Sequence, residues 1–86
     1  MILLKCIQGF SVEELDEPQG NHTGKDYTVK KGTLWKLETD QKFEDVSDFD
    51  ELNMVDDKGE YMGDWLSNVD ELTIVKNFEL LVDNDV

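Results

Sequence analysis

Ile2, Leu4, Cys6, Phe10 and Val12 fall on one parity of the chain, with only Gln8 interrupting the row. A period of two puts such residues on one face of a pleated strand, and Lys5 on the opposite face fits a strand buried on one side. Gly9 marks the place for a bulge. The habit recurs at 27–29 (Tyr-Thr-Val), 33–38 (Thr-Leu-Trp-Lys-Leu-Glu), 51–55 and 60–66, short runs that suit a half-buried pleated surface. Asp56-Asp57-Lys58-Gly59 between the last two predicts a hairpin. A chain of 86 residues patterned this way is expected to be a single, mainly β domain over 1–86.

The connections are polar. Residues 13–26 gather Glu, Asp, Pro18, Gly20, Asn21 and Gly24 and are expected to form a long surface loop, because they bring little apolar surface to offset ordering. Residues 39–49 form another connection, with Phe43, Val46 and Phe49 spaced to pin it to the core. Near the end, Asn68 followed by Glu71 has the form of a helix cap with its reciprocal partner. Val69, Leu72, Val75, Phe78 and Val82 lie at three- and four-residue intervals. The β-branched Val69, Thr73, Ile74, Val75 and Val82 argue the other way. The spacing predicts a short helix ending near Val82, with residues 83–86 a frayed tail.

Five short strands, long polar loops and one short C-terminal helix add up to a small barrel. The segment Lys31-Gly32-Thr33-Leu34-Trp35, a following hairpin with a second tryptophan at Trp65, and Phe78 in the tail resemble small SH3-like-barrel proteins of low-GC Gram-positive bacteria and their phages. The likeness covers roughly residues 24–82. It implies an SH3-like barrel and a mobile-element setting, and it carries over no catalytic residue. A proline-peptide groove of the SH3 type would draw on Tyr27, Tyr61 and the two tryptophans alone, without the paired-tryptophan or ALYDY-like segments such grooves use.

Charge is the loudest compositional feature: 21 Asp plus Glu against 8 lysines and no arginine, a net of −13. That balance argues against direct binding of nucleic acid, whose phosphates call for Lys and Arg. The acids are concentrated. Residues 1–43 carry seven acids against six lysines, whereas 44–86 carry fourteen against Lys58 and Lys76. No apolar run approaches the roughly 18 residues of a membrane span. The first six residues lack the basic stretch and cleavage site of a signal peptide, and one cysteine forms no internal disulfide, so a reducing cytoplasm is the expected compartment.

Cys6 sits at a buried parity, and His22 lies in a polar stretch without a second His or Cys beside it, so neither a nucleophilic centre nor a transition-metal site is expected. Asp45 to Asp50 and Asp56 to Glu60 lack the alternating ligands, Gly at six and Glu at twelve of a calcium loop. No cofactor and no catalytic activity are therefore expected. Trp35 and Trp65 are most simply core or semi-core residues, Trp65 being the better candidate for exposure because Gly63 leaves its strand face open.

What remains is a surface. Asp45, Asp48, Asp50, Glu51, Asp56, Asp57, Glu60 and Asp64 fall within one hairpin and its approach, with Tyr61 and Trp65 among them. Crowding like charges within a Debye length of about 8 Å costs stability, and a chain needing only solubility can intersperse lysine, as the first half does. The expected role is a non-enzymatic, acidic protein-binding module whose partner is a basic protein surface, in particular the groove of a nucleic-acid-binding protein. An inhibitor that mimics nucleic acid, of the anti-restriction or anti-CRISPR type, is the instance the mobile-element setting suggests. The alternative is a structural or accessory SH3-like interaction module that makes contact through Tyr61, Met62 and Trp65.

Overall fold

The computed structural model describes residues 1–16 and 21–84. In chain order the elements are β1 (Ile2–Cys6), β2 (Phe10–Asp16), β3 (Asn21–Val29), β4 (Leu34–Leu37), β5 (Asp48–Val55), β6 (Tyr61–Asp70), α1 (Glu71–Asn77) and β7 (Phe78–Val82), with one 3-10 turn at Phe43–Asp45. The protein is mainly β. Five strands form an antiparallel sheet in the order β6-β5-β4-β1-β7, and β2 pairs with β3 in a separate two-stranded ribbon. The sheet is open, with β6 and β7 as its edges, and is not closed into a barrel by strand pairing.

In β1 and β4 the core follows the parity of the sequence, whereas in β5 and β6 buried residues recur at three-residue spacing. Ile2, Leu4 and Cys6 of β1 are fully buried, and Leu4 lies opposite Trp35, itself fully buried. Leu37, Phe49, Leu52, Leu66, Val69, Ile74 and Phe78 complete the cluster. Val46 is buried and Phe43 packs against the core, so the connection before β5 is pinned as its aromatic spacing suggests. The base of the ribbon joins in through buried Val29 and through Phe10, Val12 and Tyr27; Phe10 meets Phe78 edge-on at 5.7 Å.

Three local expectations are corrected. The run 2–12 is two strands in different sheets rather than one bulged strand. The chain breaks at Ile7–Gly9, where the Ile7 and Gln8 N–H groups donate to the Asn77 carbonyl and a Cβ on Gly9 would come within 3.2 Å of the Val29 carbonyl oxygen. Residues 13–26 are not a loop: β2 and β3 pair from Phe10↔Val29 out to Asp16↔Asn21. Backbone groups satisfy one another in an antiparallel ribbon whatever the side chains, so a low apolar content does not exclude strand. Residues 17–20, with Glu17, Pro18 and Gly20 of that expected loop, lie outside the described residues.

The third correction is at the end of the chain. The helix spans only Glu71–Asn77, and its cap is Asp70, whose carboxylate accepts from the Thr73 N–H at 2.7 Å. Asn68 instead adopts a left-handed conformation (φ 54°) within β6, which asparagine tolerates better than most residues. Leu72 and Val75, expected on the buried face, are 82% and 60% exposed; Ile74 and Asn77 face inward. At Phe78 the backbone turns extended and pairs with Cys6, so β7 replaces the second half of the expected helix. Pairing with β1 gives Phe78 a buried site, which the β-branched run before it cannot offer by continuing a weak helix.

Asp83 and Asn84 are tied down: the Asp83 carboxylate accepts from the Phe43 N–H at 2.8 Å, and the Asn84 amide donates to the Thr39 and Gln41 carbonyls. Residues 85 and 86 of the expected frayed tail lie outside the described residues. Among the described residues, no helix is long and apolar enough to cross a membrane.

Candidate functional site

The β5–β6 hairpin has two unlike faces because cross-strand partners share a side. On the inner side, Leu52 opposes Leu66, and Met54 opposes Trp35 on β4. On the outer side, Asn53 lies between Lys36 and Trp65, Val55 between Leu34 and Tyr61, and Glu51 faces Ser67. Tyr61, Met62 and Trp65 are about half exposed, at 57%, 54% and 43%. Trp65 therefore stands on the solvent side, and Trp35 is the core tryptophan.

A bulge shapes this edge. Between Trp65 and Tyr61 β6 has three residues where β5 has only Met54. Gly63 takes φ 98° there, with open space where a Cβ would sit. Its glycine serves a left-handed backbone rather than the close approach of another chain segment. The bulge also carries Asp64, which accepts a hydrogen bond from the Tyr27 hydroxyl at 2.9 Å and so ties the ribbon to the sheet edge. Burial and the Asp64 carboxylate push the Tyr27 hydroxyl up to about 12.

The expected acidic residues are divided rather than massed. Asp56, Asp57 and Glu60 lie at the hairpin turn, whereas Asp48, Asp50 and Glu51 lie in the first half of β5, roughly 17 to 26 Å from Asp56 along the strand. That separation is well beyond a Debye length of about 8 Å, so the two groups act as distinct charge centres. Asp45 is exposed in the 3-10 turn that leads into β5. Asp50, Glu51, Asp57 and Glu60 are exposed. The side chains of Asp48 and His22 lie outside the described residues.

Two of the acids have structural partners. Asp56 accepts from the Lys58 and Glu60 N–H groups, both at 2.9 Å, and thereby closes the turn. Asp64 is engaged by Tyr27. Lys36 and Glu38 pair at 2.7 Å on the outer face, and the Lys36 ammonium holds the Glu38 carboxyl below its ordinary range. This pair was not legible beforehand, although its i, i+2 spacing on a strand is the available signal.

Between the two charge centres a trough of about 320 Å³ runs over β5. Asn53 and Val55 lie between the longer Tyr61 on β6 and Lys36 and Glu38 toward β4, and Glu51 and Gly59 complete the lining. The trough exists because the central strand carries short side chains where its neighbours carry long ones. Among the described residues no three His, Cys, Asp or Glu side chains gather as a metal-holding group. Cys6 is fully buried, and burial raises its thiol above the ordinary value.

Comparison with protein-family models, with curated proteins and with solved structures finds nothing that matches this chain.

Proposed function

We propose that the protein is a non-enzymatic acidic binding module that lays the outer side of its β5–β6 hairpin on a basic protein surface. The observation that carries this reading is the composition of the hairpin: exposed Glu51, Asp57 and Glu60 on a hydrogen-bonded frame, with Tyr61, Met62 and Trp65 half exposed among them, and exposed Asp50 beside Glu51 on β5. Carboxylates at the two ends of a strand steer a cationic partner and set its register; aromatic side chains between them supply contact area. A groove that binds nucleic acid is the basic surface such a stripe fits, as in an anti-restriction or anti-CRISPR inhibitor that stands in for nucleic acid. The strand order, with a ribbon inserted between β1 and β4 and a short helix before β7, supports an SH3-like barrel as the finer description; the cytoplasmic phage or mobile-element setting rests on the sequence resemblance alone.

Exposure of Tyr61, Met62 and Trp65 together favours a second reading, an accessory SH3-like module whose contact is chiefly apolar. One experiment separates them. The protein is immobilised at low salt, exposed to the cytoplasm of a Gram-positive bacterium and eluted with a salt gradient. On the first reading, bound protein elutes at moderate salt, and a variant carrying Asp50→Asn, Glu51→Gln, Asp57→Asn and Glu60→Gln retains none while folding normally. Retention indifferent to salt and to those four changes, but lost with alanine at 61, 62 and 65, supports the second. Asp56 is left intact because its carboxylate closes the turn.

A further inference from the structure

The trough over β5 has a chemistry more specific than that of an acidic surface. Its charged lining is Lys36, Glu38 and Glu51, a net of −1. Lys36 and Glu38 neutralise each other at 2.7 Å, which leaves the Glu51 carboxylate as the uncompensated charge. The exposed ring of Tyr61 offers apolar surface beside it, and the half-buried Asn53 side chain offers an amide, with Val55 buried beneath them. A ligand that matches is long, apolar along its stem, and singly cationic at a planar head.

We propose that this trough receives an arginine side chain projecting from the basic partner protein, an assignment that rests on the binding-module reading above and specifies its contact. The methylene stem crosses β5 over Asn53. The guanidinium stacks on the Tyr61 ring and forks onto Glu51, geometry that the compact ammonium of lysine does not reproduce. A purely apolar side chain would strip water from Glu51 without replacing it, and an anionic group would meet Glu51 and Glu38.

The test titrates the full ¹⁵N-labelled chain with a blocked Gly-Arg-Gly peptide, followed by amide shifts and Trp65 fluorescence, beside lysine and citrulline counterparts and free arginine. The expected result is saturable shifts centred on Glu51, Asn53, Val55, Gly59 and Tyr61. The arginine peptide should bind at least about threefold more tightly than the lysine peptide. Citrulline should not saturate, and free arginine, whose own carboxylate meets Glu51, should bind more weakly. Tyr61→Leu and Glu51→Gln should each weaken binding roughly fivefold, and Asp57→Asn at the turn less than about twofold. Shifts that centre on Asp57 and Glu60, equal affinity for lysine and arginine, or free arginine binding as tightly as the peptide would overturn the assignment while leaving an acidic docking surface in place. Saturable binding in the trough with no salt-dependent capture of a basic protein would support the arginine receptor and overturn the broader reading alone.

Discussion

Thr33 shows how a single hydroxyl organises this fold. It donates to the Lys30 carbonyl at 2.6 Å and accepts from the Trp35 indole N–H at 2.8 Å, so the Lys31–Trp35 segment closes its own turn and satisfies a buried tryptophan. That pentapeptide, conspicuous in the sequence, is thus accounted for by folding. Thr33→Val keeps the shape but leaves the fully buried indole N–H without its partner, and urea unfolding should show a loss of about 1–3 kcal/mol. Leu4→Ala, which opens a cavity opposite Trp35, should cost about 2–5 kcal/mol in the same assay. Tyr27 provides a pH signature. Its hydroxyl is raised from 10.0 to about 12 by burial and Asp64. Tyrosine ionisation followed at 295 nm should therefore show a late step that Tyr27→Phe removes. The stabilisation linked to this shift is complete below pH 10, where neither state has ionised, and disappears as the pH rises through about 12.

At the scale of elements, strands whose side chains alternate against a core were legible, and elements built by backbone pairing or local caps were not. Parity located β1, though not its end, and strand-like composition located β4; the Asp-Gly turn signal between two strand-like runs located the hairpin. Parity missed the outer part of the β2–β3 ribbon, which brings few apolar residues to the core. It also misjudged the C-terminus: helical spacing of Leu72, Val75 and Phe78 persists in the sequence, yet Asp70 supplies the cap and β1 claims Phe78. The candidate site was half legible. Composition pointed to the acids of the hairpin and to Tyr61 and Trp65. Their division into two centres with a trough between them depends on register, and a two-residue bulge at 62–64 has no signal beyond Gly63. Gly63→Ala, placing a Cβ at φ 98°, should lower stability by about 1–2 kcal/mol and disturb the Tyr61–Trp65 spacing, readable as a changed Trp65 emission. Asp70 adds a second pH effect. Hydrogen bonding to Thr73 holds its carboxyl below the ordinary value, so its contribution is present above the normal carboxylate range and is lost as the pH falls through the lowered one; Asp70→Ala should flatten the acid limb of the stability curve.

For the whole molecule, charge and surface set the terms. The accessible area is 5848 Å² for 9.9 kDa, against roughly 5200 Å² for a compact monomer of that mass, so relatively little of the chain is removed from water. A net charge of −13 adds self-repulsion that ionic strength relieves. The melting temperature should rise from low to moderate salt, and the variant neutralised at Asp50, Glu51, Asp57 and Glu60 should melt higher than the parent at low salt with a smaller salt response. The reading of function needs more than a large negative charge; it needs that charge to be one-sided. Paramagnetic broadening of amide signals by a small cationic nitroxide, compared with a neutral one, maps the near-surface potential directly. Broadening should peak at the two ends of the β5–β6 hairpin, at 48–51 and 56–60, and collapse with added salt. Equal enhancement over α1, β7 and the β2–β3 ribbon would mean the charge is merely solvating, and the hairpin would lose its claim to be the docking side.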